Sequence, residues 1–77
     1  MTHHHEVQNN LSFEEKLVKL LEHWLKHNED HSKTYRDWAQ KAKENKIDKA
    51  ASLIEDAARM TDEINRKLQA ALESLPR

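Results

Sequence analysis

The chain has 77 residues, 35% of them charged, and a formal net charge of -1 at pH 7. It contains no cysteine and no glycine, which excludes disulfides and thiolate metal sites and favours long helices. Charges of both signs are interspersed, and no apolar run approaches the ~20 residues of a membrane span. We therefore expect a small cytoplasmic protein that binds neither nucleic acid nor a membrane.

Residues 1–10 form the first predicted element, a flexible arm that contains His3, His4 and His5. A free amino terminus followed by a histidine at the third position can bind Cu(II) or Ni(II) in a square plane of nitrogens. The chain meets this condition through His3 when Met1 is retained and through His4 when it is removed. The arm is therefore a predicted metal-capture segment, and the alternative is the remnant of a purification tag.

The hairpin domain spans residues 11–77 and opens with the capping-box pair Ser12 and Glu15, which predicts a helix over about 12–44. Asn45 is the predicted left-handed residue at its end. Its apolar seam keeps an unbroken 4-3 spacing in which two positions are polar. The seam consists of Leu17, Leu21, Trp24, Asn28, His31, Tyr35, Trp38 and Ala42.

A second helix is predicted over about 48–75, with Asp48 as its N-cap and Pro76 just beyond its end. Since the connection is short, the two helices should form an all-α, antiparallel two-helix hairpin with Ala42 opposite Ala50. The second seam also has 4-3 spacing and consists of Ala50, Ile54, Ala57, Thr61, Ile64, Leu68, Ala71 and Leu75.

Further apolar residues flank both seams, so the apolar stripe is wider than a contact between two helices can cover. We therefore predict a homodimer of hairpins that forms a four-helix bundle. The alternatives are a monomeric hairpin and a hairpin that docks on another protein. The flanking residues are Phe13, Leu20, His27, Val18, Leu25 and Ala39 in the first helix, and Leu53, Met60, Ala51, Ala58 and Leu72 in the second.

His27 and His31 are the main candidate ligands, because histidines four residues apart on a helix can reach one metal ion. His23, one turn earlier, is a candidate third ligand at the outer side. Imidazole suits zinc, nickel and copper, so the sequence does not choose among these ions. The nearest oxygen donors are predicted to be Asp30, Asp62 and Asn65.

A second interpretation of the same residues is structural. His31, Asn28 and Thr61 could form a polar layer that sets the register and oligomeric state of the bundle. Catalysis has no support, because the sequence has no triad context and no glycine-rich phosphate loop. We therefore expect a binding or structural protein and no enzyme.

The segment from Leu21 to Ala39, with Glu22-His23-Trp24, Lys26-His27-Asn28-Glu29-Asp30-His31 and Tyr35-Arg36-Asp37-Trp38, resembles a group of small prokaryotic helical-hairpin proteins without a settled function. Those proteins carry a histidine-rich N-terminal head. The resemblance covers about residues 11–75 and implies a hairpin in a metal-handling context. It also implies Asn-Gly in the turn, where this chain has Asn45-Lys46.

Overall fold

The computed structural model describes residues 11–76, which form two α-helices, α1 (Phe13–Glu44) and α2 (Asp48–Glu73). The helices pack against each other as an antiparallel pair, which confirms the predicted hairpin. Neither helix in this range carries an apolar stretch long enough to cross a membrane. The predicted arm and its three histidines lie outside the described residues.

The start of α1 follows the predicted capping box. The Ser12 hydroxyl accepts a bond from the Glu15 backbone N–H at 3.1 Å, and the Glu15 carboxylate accepts one from the Ser12 N–H at 2.9 Å. Glu14 and Glu15 occupy the first turn, while Lys41 and Lys43 occupy the last. Both placements complement the helix dipole, so α1 is stabilised at both ends.

The first helix ends at Glu44, as predicted, but the left-handed residue of the turn lies one position later than predicted. Lys46, and not Asn45, takes the left-handed conformation, with φ 63° against -95° at Asn45. The N–H of Ile47 then bonds to the carbonyl of Ala42 at 2.9 Å, and the N–H of Lys46 bonds to that of Lys43 at 3.0 Å. This pair of bonds is the Schellman motif, which satisfies the last carbonyls of α1.

The predicted N-cap of α2 is also wrong by one residue. Ile47 is the N-cap and has no side-chain cap bond, and Asp48 is the first residue of the helix. Asp48 therefore stabilises the helix through its charge near the N-terminal dipole and not through a cap bond.

We expect Lys46→Gly to stabilise the hairpin by about 1 kcal/mol, because glycine adopts positive φ without the steric cost of a Cβ. Urea denaturation followed by circular dichroism measures the change. Lys43→Gly, in the last turn of α1, is the matched control and should destabilise by about 1 kcal/mol. A destabilising Lys46→Gly would contradict the left-handed turn.

The interhelical contact uses only part of each predicted seam. The prediction that Trp24, His31 and Trp38 line the contact is wrong, because all three are exposed. The contact runs instead mainly through residues that were predicted to flank the seams, together with Leu21 of the predicted seam and Ser32, which was assigned to neither group. The buried residues are Leu21, Ser32 and Ala39 in α1, and Ala51, Ala58 and Leu72 in α2.

Side-chain size explains this rotation of the contact. Ser32 and Ala39 face Ala51 and Ala58, and Ala58 is 0% exposed. Small side chains allow two helix backbones to approach closely and to exchange many dispersion contacts. A tryptophan in the same line would hold the helices apart, so the bulky side chains remain on the outside of the pair.

Asn28 takes part in the interhelical contact, as predicted, but with a different partner. Its side chain donates to Asn65 at 2.9 Å, and Asn65 donates to the Leu25 carbonyl at 3.0 Å. The predicted polar layer with His31 and Thr61 does not form, because Thr61 bonds to the Ala57 carbonyl of its own helix at 2.8 Å. The Asn28–Asn65 pair lies one residue from the predicted register and fixes the alignment of the helices.

A second polar cluster links the helices through Ser32, Arg36 and Asp62. The carboxylate of Asp62 accepts bonds from the Arg36 guanidinium at 2.7 Å and from the Ser32 hydroxyl at 2.8 Å. Arg36 also donates to the Ser32 oxygen at 2.6 Å. The bonds from Arg36, and then from Ser32, lower the pKa of Asp62, and the bond to Asp62 raises the pKa of Arg36.

We expect Asp62→Asn to lower the melting temperature at pH 7 by a small amount, since Arg36 and Asp62 are 42% and 38% exposed. Because the pKa of Asp62 is lowered in the folded state, its stabilisation is complete above the ordinary value of 3.8 and is lost as the pH falls through the folded value. Thermal melts from pH 7 to pH 2 should show the variant and the parent converging at low pH.

The control is Asp30→Asn, whose partner Lys26 lies on the same helix and whose ion pair is largely exposed. This substitution should change the melting temperature little at any pH. A difference between Asp62→Asn and the parent that stays constant down to pH 2 would exclude an electrostatic role for Asp62.

Candidate metal centre

Four aromatic rings form a ladder along one side of α1. His23 stacks on His27 with ring centroids 5.9 Å apart, and His31 stacks on Tyr35 at the same distance. Between these two pairs, the rings of His27 and His31 meet edge to face at 4.4 Å. The ladder follows from the four-residue spacing, because side chains at i and i+4 lie above one another on a helix.

The closest contact in the ladder joins the two predicted ligands. Nε2 of His27 lies 2.9 Å from Nε2 of His31, and both side chains are exposed. A hydrogen bond between two imidazoles requires one N–H donor and one bare nitrogen as the acceptor. The structure therefore brings the Nε2 atoms of both rings together on the exposed surface of α1.

The two sides of the hairpin differ in character. Arg36 and Asp62 bond across one side, which we call the charged face. Trp38 and Ile64 each lie two positions after Arg36 and Asp62. Two positions correspond to about 200° around a helix, so Trp38 and Ile64 belong to the opposite side. Residues seven positions apart share a side. We call this opposite side the open face, formed by Trp24, His31 and Trp38 of α1 and by Ala57 and Ile64 of α2.

The open face carries large apolar side chains in contact with solvent. Trp24 is 41% exposed, Trp38 58% and Ile64 52%. Lys41 places its ammonium group 4.3 Å from the centroid of the Trp38 ring, a cation–π contact. The paired imidazoles of His27 and His31 thus lie on an apolar, aromatic surface. Leu20, Leu53 and Met60 are further exposed large apolar residues of the two helices.

Several predicted donors are not brought to the histidine pair. His23 stacks beside His27 and does not point its nitrogens at the same spot. Asp30 pairs with Lys26, Asp62 with Arg36, and Asn65 with Asn28. Over residues 11–76, no group of three or more His, Asp or Glu side chains is close enough to hold one metal ion. Within a single chain, therefore, only His27 and His31 of the predicted ligands in this range bring their nitrogens together.

The roles of Ser32 and Arg36 were not predicted from the sequence. Ser32 is spaced seven residues from both Leu25 and Ala39, and this spacing was the available signal that it belongs to the interhelical contact. The partner of Arg36 could not be predicted, because Asp62 is distant in sequence and many charged residues compete for it. Arg36, through its bond to Asp62, defines the charged face and so, indirectly, the open face.

Comparison with known proteins gives a family without a function. The chain belongs to the family described as Domain of unknown function (DUF8180), whose model matches residues 17–75. The matched range includes the ring ladder and most of both helices. No curated protein and no solved structure matches the chain.

Proposed function

We propose that this chain is a small helical protein that binds a divalent transition metal through His27 and His31 and acts as a carrier, buffer or sensor for the ion. The observation that carries the proposal is the 2.9 Å separation between the two Nε2 atoms. Neutral imidazole nitrogen suits zinc, nickel and copper, so the proposal covers these three ions.

The separation fits a shared ion with little rearrangement. If an ion lies ~2.05 Å from both nitrogens, the N–metal–N angle at this separation is about 90°. That angle suits the square or octahedral arrangements of copper and nickel. A tetrahedral zinc angle needs the nitrogens ~3.3 Å apart, an opening of about 0.4 Å, which small side-chain rotations of the two exposed rings supply.

Exposure of both rings matches reversible binding. Two protein ligands leave two or more coordination positions to water or to another donor, in contrast to a closed structural zinc site. Exposed ligands also allow the ion to enter and leave without opening the interhelical contact. Both properties suit a protein that carries or senses an ion.

The remaining histidines have auxiliary roles in the proposal. His23 stacks on His27 and orients that ring. His3, His4 and His5 belong to the arm and supply a separate capture site.

We expect Zn(II) to raise the melting temperature of a full-length variant in which His3, His4 and His5 are replaced by serine. An ion that binds only the folded chain, at about 100 times its dissociation constant, stabilises by about 2.7 kcal/mol, or more than about 10 °C for a domain of this size. Adding His27→Ala and His31→Ala should abolish the rise. Circular dichroism melts with and without Zn(II), Ni(II) and Cu(II) measure it.

The matched control for this pair is the neighbouring i, i+4 pair in the same helix. Lys26→Ala with Asp30→Ala removes two exposed side chains of α1 and should leave the rise intact. If the histidine double variant still shows the full rise, the ion binds elsewhere and His27 and His31 are not its ligands.

A second function, an interaction hairpin that binds another protein, is favoured by a different observation. Trp24, Trp38 and Ile64 are exposed on a single face. Contiguous apolar patches on soluble proteins often mark interaction surfaces, and aromatic residues are enriched there. In this interpretation His27 and His31 are polar positions within the surface and bind no ion.

We expect His31→Leu to distinguish the two functions in metal-free buffer. If the open face is only an interaction surface, a second copy of this chain can serve as its test partner. Leucine should then stabilise the associated form, because an apolar side chain replaces a polar one at a position that association buries. Melting temperature at several protein concentrations measures this effect. If His31 serves only as a metal ligand on a solvated surface, the metal-free melting temperature should not depend on protein concentration, and the substitution should abolish only the response to Zn(II).

A further inference from the structure

We propose that the open face binds a second copy of this chain, related by a two-fold axis that crosses α1 near His31, so that two His27–His31 pairs meet at one ion. The exposed apolar residues and their spacing support the pairing of the two open faces. The shared ion rests in addition on the proposed function. Each part has its own readout in the experiment.

The spacing of the aromatic residues is symmetric about His31. Trp24 precedes it by seven residues and Trp38 follows it by seven, about 10.5 Å in each direction along the helix. In a two-fold interface, if residue i of one copy contacts residue j of the other, then residue j of the first copy also contacts residue i of the second. With the axis at His31, Trp24 of one copy lies at the level of Trp38 of the other, and the reverse holds as well.

The same axis is consistent with the apolar residues of α2. The Asn28–Asn65 bond sets the helix register, so an axis at His31 crosses α2 near Asp62. Residues equally distant from that point then lie side by side across the interface. Ile64 of one copy meets Met60 of the other, and Leu53 meets Ala71, so these two pairs are apolar.

The size of the face is sufficient for a stable dimer. Two adjacent helices of about 45 Å by a combined width of ~20 Å present roughly 900 Å². Stable interfaces of standard size bury about 800 Å² on each partner. Successive residues are about 100° apart around a helix, which places the acidic residues between positions 17 and 71 on the charged face or on the side of each helix that points away from the other helix. Pairing of the open faces therefore buries no carboxylate.

Pairing would complete the coordination that one chain leaves open. A single chain supplies two imidazole nitrogens 2.9 Å apart, and over residues 11–76 no third ligand converges on them. Two copies supply four nitrogens around the axis, the number that tetrahedral zinc requires.

The oligomeric state of the full chain tests the pairing. Sedimentation equilibrium should show a dimer without added metal, and Trp38→Glu should raise its dissociation constant about thirty-fold or more. Gln40→Glu, which adds the same charge two residues along on the charged side, should leave the dimer intact. Circular dichroism shows whether each variant keeps its helices. A monomeric wild-type chain, or equal effects of both variants, overturns the proposal.

Cysteine cross-linking tests the arrangement, because the chain has no native cysteine. A mixture of Trp24→Cys and Trp38→Cys chains should form a mixed disulfide, since that dimer keeps one complete tryptophan pair. Either variant alone should cross-link far more slowly. Preferential cross-linking of Trp38→Cys with Leu53→Cys would place α1 over α2 of the second copy and overturn the axis at His31.

Titration with Zn(II), on chains with His3, His4 and His5 replaced by serine, tests the shared ion. One ion per two chains, together with an increased dimer fraction, supports it. One ion per chain supports the proposed function but overturns the shared site. An intact dimer that takes up no ion overturns the proposed function and leaves the pairing of the open faces supported.

Discussion

The close approach of two helices through small side chains is the constraint on which the other features depend. Ser32 and Ala39 meet Ala51 and Ala58 along a line where larger groups do not fit. Once this line is buried, the stripe of tryptophans next to it is left on the surface. The fold of one chain therefore creates an apolar face without covering it, and this face carries the histidines.

Two polar contacts keep this arrangement in register. Asn28 and Asn65 bond within the contact, and Arg36 and Asp62 bond at its edge. Helices that meet through alanines alone could slide by a turn at little cost, because one alanine is equivalent to the next. Buried and half-buried hydrogen bonds lose their partners on such a slip, which makes the observed alignment the favoured one.

The hairpin could be predicted because its signals are local. A capping box, two heptad patterns and a short polar connection each depend on neighbouring residues. The choice between two adjacent stripes depends on the partner helix, and the pattern was equally regular for both. The prediction therefore placed Trp24 and Trp38 in the contact, where Leu25 and Ala39 were the better choices.

The candidate site shows the same division between local and distant information. The meeting of His27 and His31 follows from their spacing on one helix and was predicted. The oxygen donors Asp62 and Asn65 were expected beside them, but both are engaged in bonds across the hairpin. The partners of Asp62 and Asn65 depend on how α2 is rotated relative to α1. No local sequence pattern encodes that rotation.

The short turn at Lys46 also orders the way in which the hairpin closes. Contacts next to the turn join residues close in sequence, whereas the Asn28–Asn65 contact closes a loop of 37 residues. The entropy lost on closing a loop increases with its length, so contacts near the turn cost the least chain entropy to form. On the same ground we expect thermal opening to begin at the far end, which holds Ser12 and Leu75. Since His23 lies between that end and His27, fraying reaches the outer histidine first and the paired ones later.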